Sequence, residues 1–269
     1  MEKVLYEELF PDEFAERIKK MPVAFLPLGT LEWHGPHMPL GADGIQSKEL
    51  FIELAGKMGG VVLPMLFVGP DRVFDDRGEL FYGMDINTSG ALKSYPAQRL
   101  TGSAYWLDTE LFKKLLMSIV EQLSRTGVKI IIGHGHGPSI NAFANIAADA
   151  QKMYGVKLYT AWSFAENEEL KFQNDHAGAN ETSIVMAFRP DLVDFSRVKE
   201  DESNLIGIAG RHPVKESSAE YGKRIKEYTI ECIYAGLRSE YPQLFEDKPL
   251  QFRNVRLELQ VVLKFLNGD

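Results

Sequence analysis

The sequence predicts an α/β fold in which a mostly parallel sheet carries helices on its faces. Short, continuous apolar runs alternate along the chain with segments whose apolar residues recur every three or four positions. The first pattern is typical of strands and the second of helices, so their alternation favours an α/β architecture. The apolar runs contain few polar residues, as expected of parallel strands that are buried on both sides.

The N-terminal elements begin with a short amphipathic helix. Residues 11–20 carry a proline in the first turn and apolar residues four positions apart, which indicates a helix. The apolar run 23–28 is closed by a glycine and predicts a buried strand. Residues 44–58 present one apolar helical face and end at a glycine pair. A second apolar run over 61–68 predicts the next strand.

Residues 69–104 show no sustained period. A stretch this long without regular structure is rare in a compact domain unless it is a functional loop or an interface. It carries large apolar residues that are costly to expose to water, namely Phe74, Phe81, Tyr82, Met84 and Tyr95. We expect it to pack on a neighbouring subunit near the candidate site, where Arg72, Asp75 or Arg77 would help to shape a pocket. The alternative is a surface loop packed on its own chain.

The later elements follow from the same patterns. Apolar residues at four-residue spacing over 107–123 indicate a strong helix. The remaining predictions are strands over 128–132 and 156–162 and helices over 138–154, 181–188 and 216–236. Residues 251–266 fit either a strand or a helix. Because no linker, repeat or low-complexity segment interrupts the chain, we expect one domain over residues 1–269.

Composition limits the function classes. The net charge of −8 and the pI near 5.4 argue against non-specific nucleic-acid binding, which requires a basic surface. A single cysteine, Cys232, excludes an intramolecular disulfide and a thiolate metal cage. No apolar run approaches the roughly 18 residues that span a membrane, and the N-terminus lacks a signal-peptide pattern. We therefore expect a cytoplasmic protein that binds neither nucleic acids nor membranes.

Five of the six histidines lie in three short motifs that contain glycine and carry or adjoin carboxylates. The motifs contain Glu32, His34 and His37 with Asp43 close behind, then His134 and His136, and finally His176 with Glu181. Histidine and carboxylate together are the usual ligands of zinc, manganese and iron(II). Each motif follows a predicted strand, and the carboxyl ends of parallel strands form one ligand-binding edge. The sequence therefore predicts a metalloenzyme.

Spacing within the motifs supports a metal site. Glu32 and His34 are two residues apart, so in an extended backbone their side chains project to the same side, and the same holds for His134 and His136. Asp43 begins a predicted helix, where a carboxylate can bridge two cations. The candidate ligands are Glu32, His34, Asp43, His134, His136 and Glu181. They suffice for two metal ions.

These motifs resemble those of the creatininase (creatinine amidohydrolase) family. The matching stretches are 26–40 followed by Asp43, 133–135, 176–183 and 189–193, so the resemblance covers about residues 20–195. It implies a three-layer α/β/α sandwich, a dinuclear metal centre, hydrolysis of a non-peptide amide, and assembly into a homo-oligomer, often a hexamer.

The resemblance also implies a ligand set. Glu32, Asp43 and His134 would hold one ion, and His34 and Asp43 would hold the other, with Asp43 bridging. In the creatininases proper a glutamate lies two residues after the ligand that matches His134, where this chain has His136. Other members have glycine there and use the carboxylate that matches Glu181. Whether His136 or Glu181 completes the second site stays open.

The sequence thus predicts a metal-dependent hydrolase that cleaves a non-peptide C–N bond of a small-molecule amide, cyclic amide or formamide. Two divalent ions, zinc or alternatively manganese or iron, would activate a metal-bound hydroxide. His176 would protonate the departing nitrogen, and Glu181 would orient His176 or bind metal. The alternatives are a creatininase-like peptidase and a non-catalytic protein that binds a metal or a small molecule on the same fold.

Overall fold

A computed structural model describes residues 2–85, 105–198 and 207–246. Its strands are β1 (Val23–Leu28), β2 (Val61–Val62), β3 (Val73–Asp76), β4 (Glu79–Tyr82), β5 (Ile130–Gly135) and β6 (Lys157–Thr160). Its helices are α1 (Pro11–Lys20), α2 (Ala42–Met58), α3 (Thr109–Arg125), α4 (Gly137–Asn145), α5 (Ala147–Tyr154), α6 (Ala179–Phe188), α7 (Pro213–Glu216) and α8 (Ala219–Glu240).

Four strands form a parallel sheet in the order β2–β1–β5–β6. Alternate residues of β1 point to opposite faces of this sheet. Ala24, Leu26 and Leu28 pack with apolar residues of α1, α3, α4 and α5. On the other face Phe25 packs against Phe51 of α2, with ring centroids 5.4 Å apart. The predicted α/β fold, with helices on both faces of a mostly parallel sheet, is confirmed.

Three predicted elements are shorter or divided. The strand predicted over 61–68 ends at Val62, and Pro64 explains this because proline has no N–H to donate to a neighbouring strand. The helix predicted over 138–154 is divided at Ile146 into α4 and α5. Thr160 ends β6, after which Ala161–Phe164 forms a 3₁₀ turn instead of continuing the strand.

The prediction that residues 69–104 lack regular structure is wrong for 73–82. This segment forms an antiparallel hairpin of β3 and β4. Arg77 and Gly78 make its two-residue turn with φ values of 57° and 86°. Such turns usually carry Asn-Gly or Asp-Gly, so an arginine in the first position hid the signal. Residues 86–104 lie outside the described residues.

The chain divides into two compact units, residues 1–235 and 236–269. The first contains the sheet, and the described part of the second contains the end of α8 and a 3₁₀ turn at Pro242–Phe245. The single domain expected from the sequence stays a prediction, and 251–266 lies outside the described residues. None of the described helices combines the length and apolarity needed to cross a membrane. The cytoplasmic location also stays a prediction.

Close contact between α8 and α6 positions the helix that carries Glu181. The Ser218 N–H donates to Ser183 Oγ at 3.0 Å, and Gly222 lies directly against the Ser183 carbonyl. A methyl group at Gly222 would overlap that carbonyl oxygen. Gly56, in the exposed part of α2, has no atom within 4 Å of the position where a methyl group would be added.

We therefore expect opposite effects from the same substitution in these two helices. Gly222→Ala should lower the free energy of unfolding by about 2 kcal/mol, because overpacking outweighs the gain in helix propensity. Gly56→Ala should raise it by up to about 1 kcal/mol. Chemical denaturation of both variants measures these changes. A stabilised Gly222→Ala protein would contradict the close approach of α8 to α6.

Candidate metal centre

Three chain segments meet at the carboxyl ends of β1 and β5. The first contributes Glu32 and His34 after β1 and Asp43 in the first turn of α2. The second contributes His136 directly after β5, and the third contributes His176 before α6 and Glu181 in its first turn. The register of the sheet brings these segments together, because β1 and β5 are adjacent and parallel and end at the same level, with Leu28 paired to Gly135. All but His176 are buried.

Asp43 lies at the centre of this cluster. Its Oδ1 is 3.2 Å from His34 Nε2, and its Oδ2 is 3.1 Å from His136 Nδ1. Glu32 Oε1 is 3.1 Å from the same nitrogen of His136. Glu181 Oε1 is 3.7 Å from His34 Nε2. The two oxygens of one carboxylate therefore face two different histidines.

Among the described residues, three groups place their ligand atoms within 4.8 Å of one another. The groups are Glu32 with Asp43 and His136, His34 with Asp43 and Glu181, and Glu32 with His34 and His176. Asp43 is shared by the first two. Histidine nitrogen and carboxylate oxygen in such groups suit zinc, manganese or iron(II).

His134 does not belong to these groups. It lies inside β5, not after it as the sequence suggested, and its ring meets Trp162 and Phe172 edge-on. The argument that His134 and His136 project to the same side assumed extended backbone, whereas Gly135 between them has φ 141°. A methyl group at Gly135 would overlap the Leu28 carbonyl, so glycine is needed where the chain turns.

Two glutamines that sequence reasoning missed donate to the carboxylates. Gln46 Nε2 donates to Glu181 Oε1 at 2.6 Å, and the Ala177 N–H donates to the other oxygen at 2.6 Å. Gln173 Nε2 donates to Asp43 Oδ1. Gln46 could have been found, because it lies three residues after Asp43 on the same helix face. Gln173 reaches the site from a loop with φ 58°, which no periodicity indicates.

Backbone carbonyls fix the tautomers of two histidines. His34 Nδ1 lies 3.1 Å from the Glu32 carbonyl, and His176 Nε2 lies 2.8 Å from the Trp33 carbonyl. A carbonyl oxygen only accepts, so these nitrogens carry the protons. In the neutral rings His34 Nε2 and His176 Nδ1 then present lone pairs to the carboxylates, which is the arrangement of metal-binding histidines.

His176 differs from the other site histidines in its access to solvent. Its side chain is 22% exposed, against 5% or less for His34 and His136. Its ring lies over that of His34, with centroids 4.5 Å apart, and Nδ1 is 3.7 Å from Glu32 Oε1. His176 is therefore the site histidine that a substrate can reach. His37, in contrast, is buried and contacts Thr182 Oγ1 at 2.9 Å.

The buried carboxylates of the cluster favour positive charge on their neighbours. Burial disfavours an ionised His34, yet Glu181 and Asp43 raise the pKa of His34 to about 10. Burial likewise opposes charge on His136, but hydrogen bonding to Asp43 and other carboxylates raises its pKa well above 6.5. Burial also raises the pKa of Glu181 well above its usual value.

These shifts indicate that the donor set fits a cation. Buried carboxylates are costly unless positive charge compensates them. Protonated histidines provide that charge here, and divalent cations would provide it while both histidines serve as neutral ligands. Three carboxylates beside neutral imidazoles form a donor set with the charge and atom types that metal ions require.

Comparison with known proteins identifies relatives in the creatininase family. The model of the creatininase family, described as creatinine amidohydrolase, matches residues 7–233. A creatinine amidohydrolase of Pseudomonas putida is 24% identical over 253 residues, covering 82% of this chain and 90% of that protein. A mycofactocin precursor peptide peptidase of Mycolicibacterium smegmatis is 27% identical over 173 residues, covering 64% and 60%.

Solved structures share the fold. A crystal structure of a creatinine amidohydrolase superposes with a TM-score of 0.68 at 22% identity, covering 90% of this chain and 99% of the other. A manganese form and a zinc–zinc variant form of creatininase give TM-scores of 0.65 and 0.63, each at 23% identity and covering 90% of this chain and 100% of theirs. Since the family model spans well over half of its residues, this chain belongs to the creatininase family of amide-bond hydrolases.

Proposed function

We propose that this protein hydrolyses a non-peptide C–N bond of a small-molecule amide with the help of two divalent metal ions bridged by Asp43. One observation carries the proposal: the two oxygens of Asp43 face separate ligand groups, at 3.2 Å from His34 and 3.1 Å from His136. A carboxylate shared in this way is how dinuclear hydrolases hold a metal pair.

The geometry favours one assignment of ligands. Glu32, Asp43 and His136 would hold one ion, and His34, Asp43 and Glu181 would hold the other. Both residues that the sequence left as alternatives, His136 and Glu181, are then used, one at each ion. Zinc is our first choice because histidine and carboxylate ligands suit it, and manganese or iron is the alternative. Creatininases with manganese and with a zinc pair support this choice.

A bound pair of such ions would supply Lewis acidity, which lowers the pKa of a water towards neutrality and polarises the substrate carbonyl. The residues of this chain supply orientation and proton transfer. The Trp33 carbonyl fixes the His176 ring through Nε2, so Nδ1 is the nitrogen through which this partly exposed side chain can pass a proton to the departing nitrogen. Gln46 and Ala177 hold the Glu181 carboxylate in one rotamer.

The substrate class rests on the family. The relative from Pseudomonas putida acts on creatinine, a cyclic amide, as its name states. A peptide amide is the second candidate, because a relative is named as a precursor peptide peptidase. A small panel of creatinine, N-formyl amines and short peptides separates these classes.

Replacing Asp43 tests the bridge. Asp43→Ala is expected to abolish binding of both zinc ions, because one carboxylate serves two ions, whereas Glu181→Ala should leave one ion bound. Asp149→Ala, an exposed aspartate on α5, is the control and should keep both. Metal content is measured by mass spectrometry on protein dialysed against zinc. An Asp43→Ala protein that retains two equivalents would contradict the bridging role.

Replacing His176 tests the proton donor. His176→Gln is expected to keep the metal content and to lower kcat by about 10²–10⁴-fold, since general acid catalysis contributes on that order. The assay uses the substrate on which the wild type turns over fastest. Unchanged kcat would exclude His176 as the donor. A wild type that binds two ions but hydrolyses no compound of the panel would support the non-catalytic alternative.

We also propose a homo-oligomer, with hexamer as the form implied by the family resemblance. The β3–β4 hairpin supports it, since Val73 and Leu80 expose apolar side chains and Tyr82, the partner of Val73, meets the exposed Trp106 edge-on. Light scattering should show an assembly larger than the 30.3 kDa chain. Val73→Lys with Leu80→Lys should dissociate it, and Met153→Lys, at a more exposed apolar residue on α5, should not. A monomeric wild type would contradict the proposal.

A further inference from the structure

The second ring nitrogen of His136 faces away from the candidate metal ligands. Its Nδ1 lies 3.1 Å from both Glu32 Oε1 and Asp43 Oδ2. Its Nε2 is buried and has no hydrogen-bond partner within the described parts of the chain. The nearest carboxylate atom on that side is Asp71 Oδ1, at 3.7 Å. The Asp71 side chain is 6% exposed, so this pair is shielded from water.

We propose that Asp71 is a positioning residue for His136, which holds the proton on Nε2 and so makes Nδ1 the metal-binding atom. The proposal rests on the dinuclear centre of the previous section. Asp71 lies in the segment that joins the sheet to the hairpin, and no residue of this segment belongs to the three ligand groups.

The other two site histidines each have a hydrogen-bond acceptor for one ring nitrogen, and His136 requires one as well. In His34 and in His176 a backbone carbonyl accepts from one ring nitrogen and so directs the other towards the carboxylates. Among the described residues no carbonyl does this for His136. A buried N–H without an acceptor is costly, and Asp71 is the group placed to accept it.

The backbone around Asp71 is fixed by contacts on both sides. The Leu107 N–H donates to the Gly69 carbonyl at 3.0 Å. Gly69 lies so close to Ser139 of α4 that a methyl group would overlap its Oγ. The Arg72 N–H donates to Asp71 Oδ1 at 2.7 Å, which fixes the carboxylate. Because α4 begins directly after His136, this packing holds Asp71 and His136 on neighbouring elements.

A carboxylate also does more than a carbonyl. Its full negative charge increases the basicity of the ring that donates to it, so the other nitrogen becomes a stronger ligand. His136 Nε2 and Asp71 Oδ1 are 3.7 Å apart. A shift of less than 1 Å would bring them to the length of a charge-assisted hydrogen bond, about 2.8 Å. Ligands are commonly oriented in this way, and loss of the orienting residue weakens metal affinity by about 10–100-fold.

The test compares zinc affinities in competition with a chelator. Asp71→Asn keeps the acceptor for the Arg72 N–H but removes the charge, so it should lower the affinity for one of the two zinc ions by about tenfold. Asp71→Ala should lower that affinity by up to about 100-fold. The other ion should bind as in the wild type. Asp75→Asn is the matched control, because it removes an exposed carboxylate four residues further along the chain, in β3. Equal affinity of Asp71→Asn and wild type for both ions would overturn the proposal.

A direct measurement covers the case in which the variants are unstable. Nitrogen NMR of histidine-labelled, zinc-loaded wild type should show His136 protonated at Nε2 and zinc-bound at Nδ1. A His136 ring protonated at Nδ1 would overturn the inference while leaving the metal centre intact. A wild type that binds no zinc would overturn both, so the two failures are distinguishable.

Discussion

The structure depends on balancing the negative charge of three carboxylates that are buried at one edge of the sheet. Glu32, Asp43 and Glu181 lie out of reach of water, where uncompensated negative charge is costly. His34 approaches them from the same segment as Glu32 and Asp43, and His136 approaches from the end of β5. The pKa of Asp43 stays well below its usual value because His34 and His136 oppose the effect of burial. The surrounding glutamines, carbonyls and helix starts all serve to hold these charges at short distances.

The fold achieves this through the neighbouring parallel strands β1 and β5. Their common end brings the loop with Glu32 beside His136, and Gly135 allows the turn between strand and site. Two contacts position the Glu181 helix. Asp175 accepts from the N–H groups of Asn180 and Glu181 at its start, and Gly222 of α8 packs against Ser183 in its middle.

Much of this could be predicted from sequence because the signals are local. The sequence predicts the strand 23–28 and the helix 11–20 with the bounds that the structure shows, and it correctly places Glu32, His34 and His136 after strands, whereas His134 lies inside β5. The sequence predicts both His134 and His136 as candidate ligands, because residues 133–137 contain Gly-His-Gly twice, two residues apart, and it leaves open whether His136 or Glu181 completes the second site. In the structure the turn at Gly135 places His136, and not His134, beside Glu32 and Asp43. Asp71 depends on tertiary packing, so no spacing indicates it.

The most direct test is an anomalous-scattering map from crystals of the zinc-loaded protein. We expect two zinc peaks with Asp43 between them, Glu32 and His136 at one ion, and His34 and Glu181 at the other. A single peak, or a pair in which His134 replaces His136, would contradict this expectation.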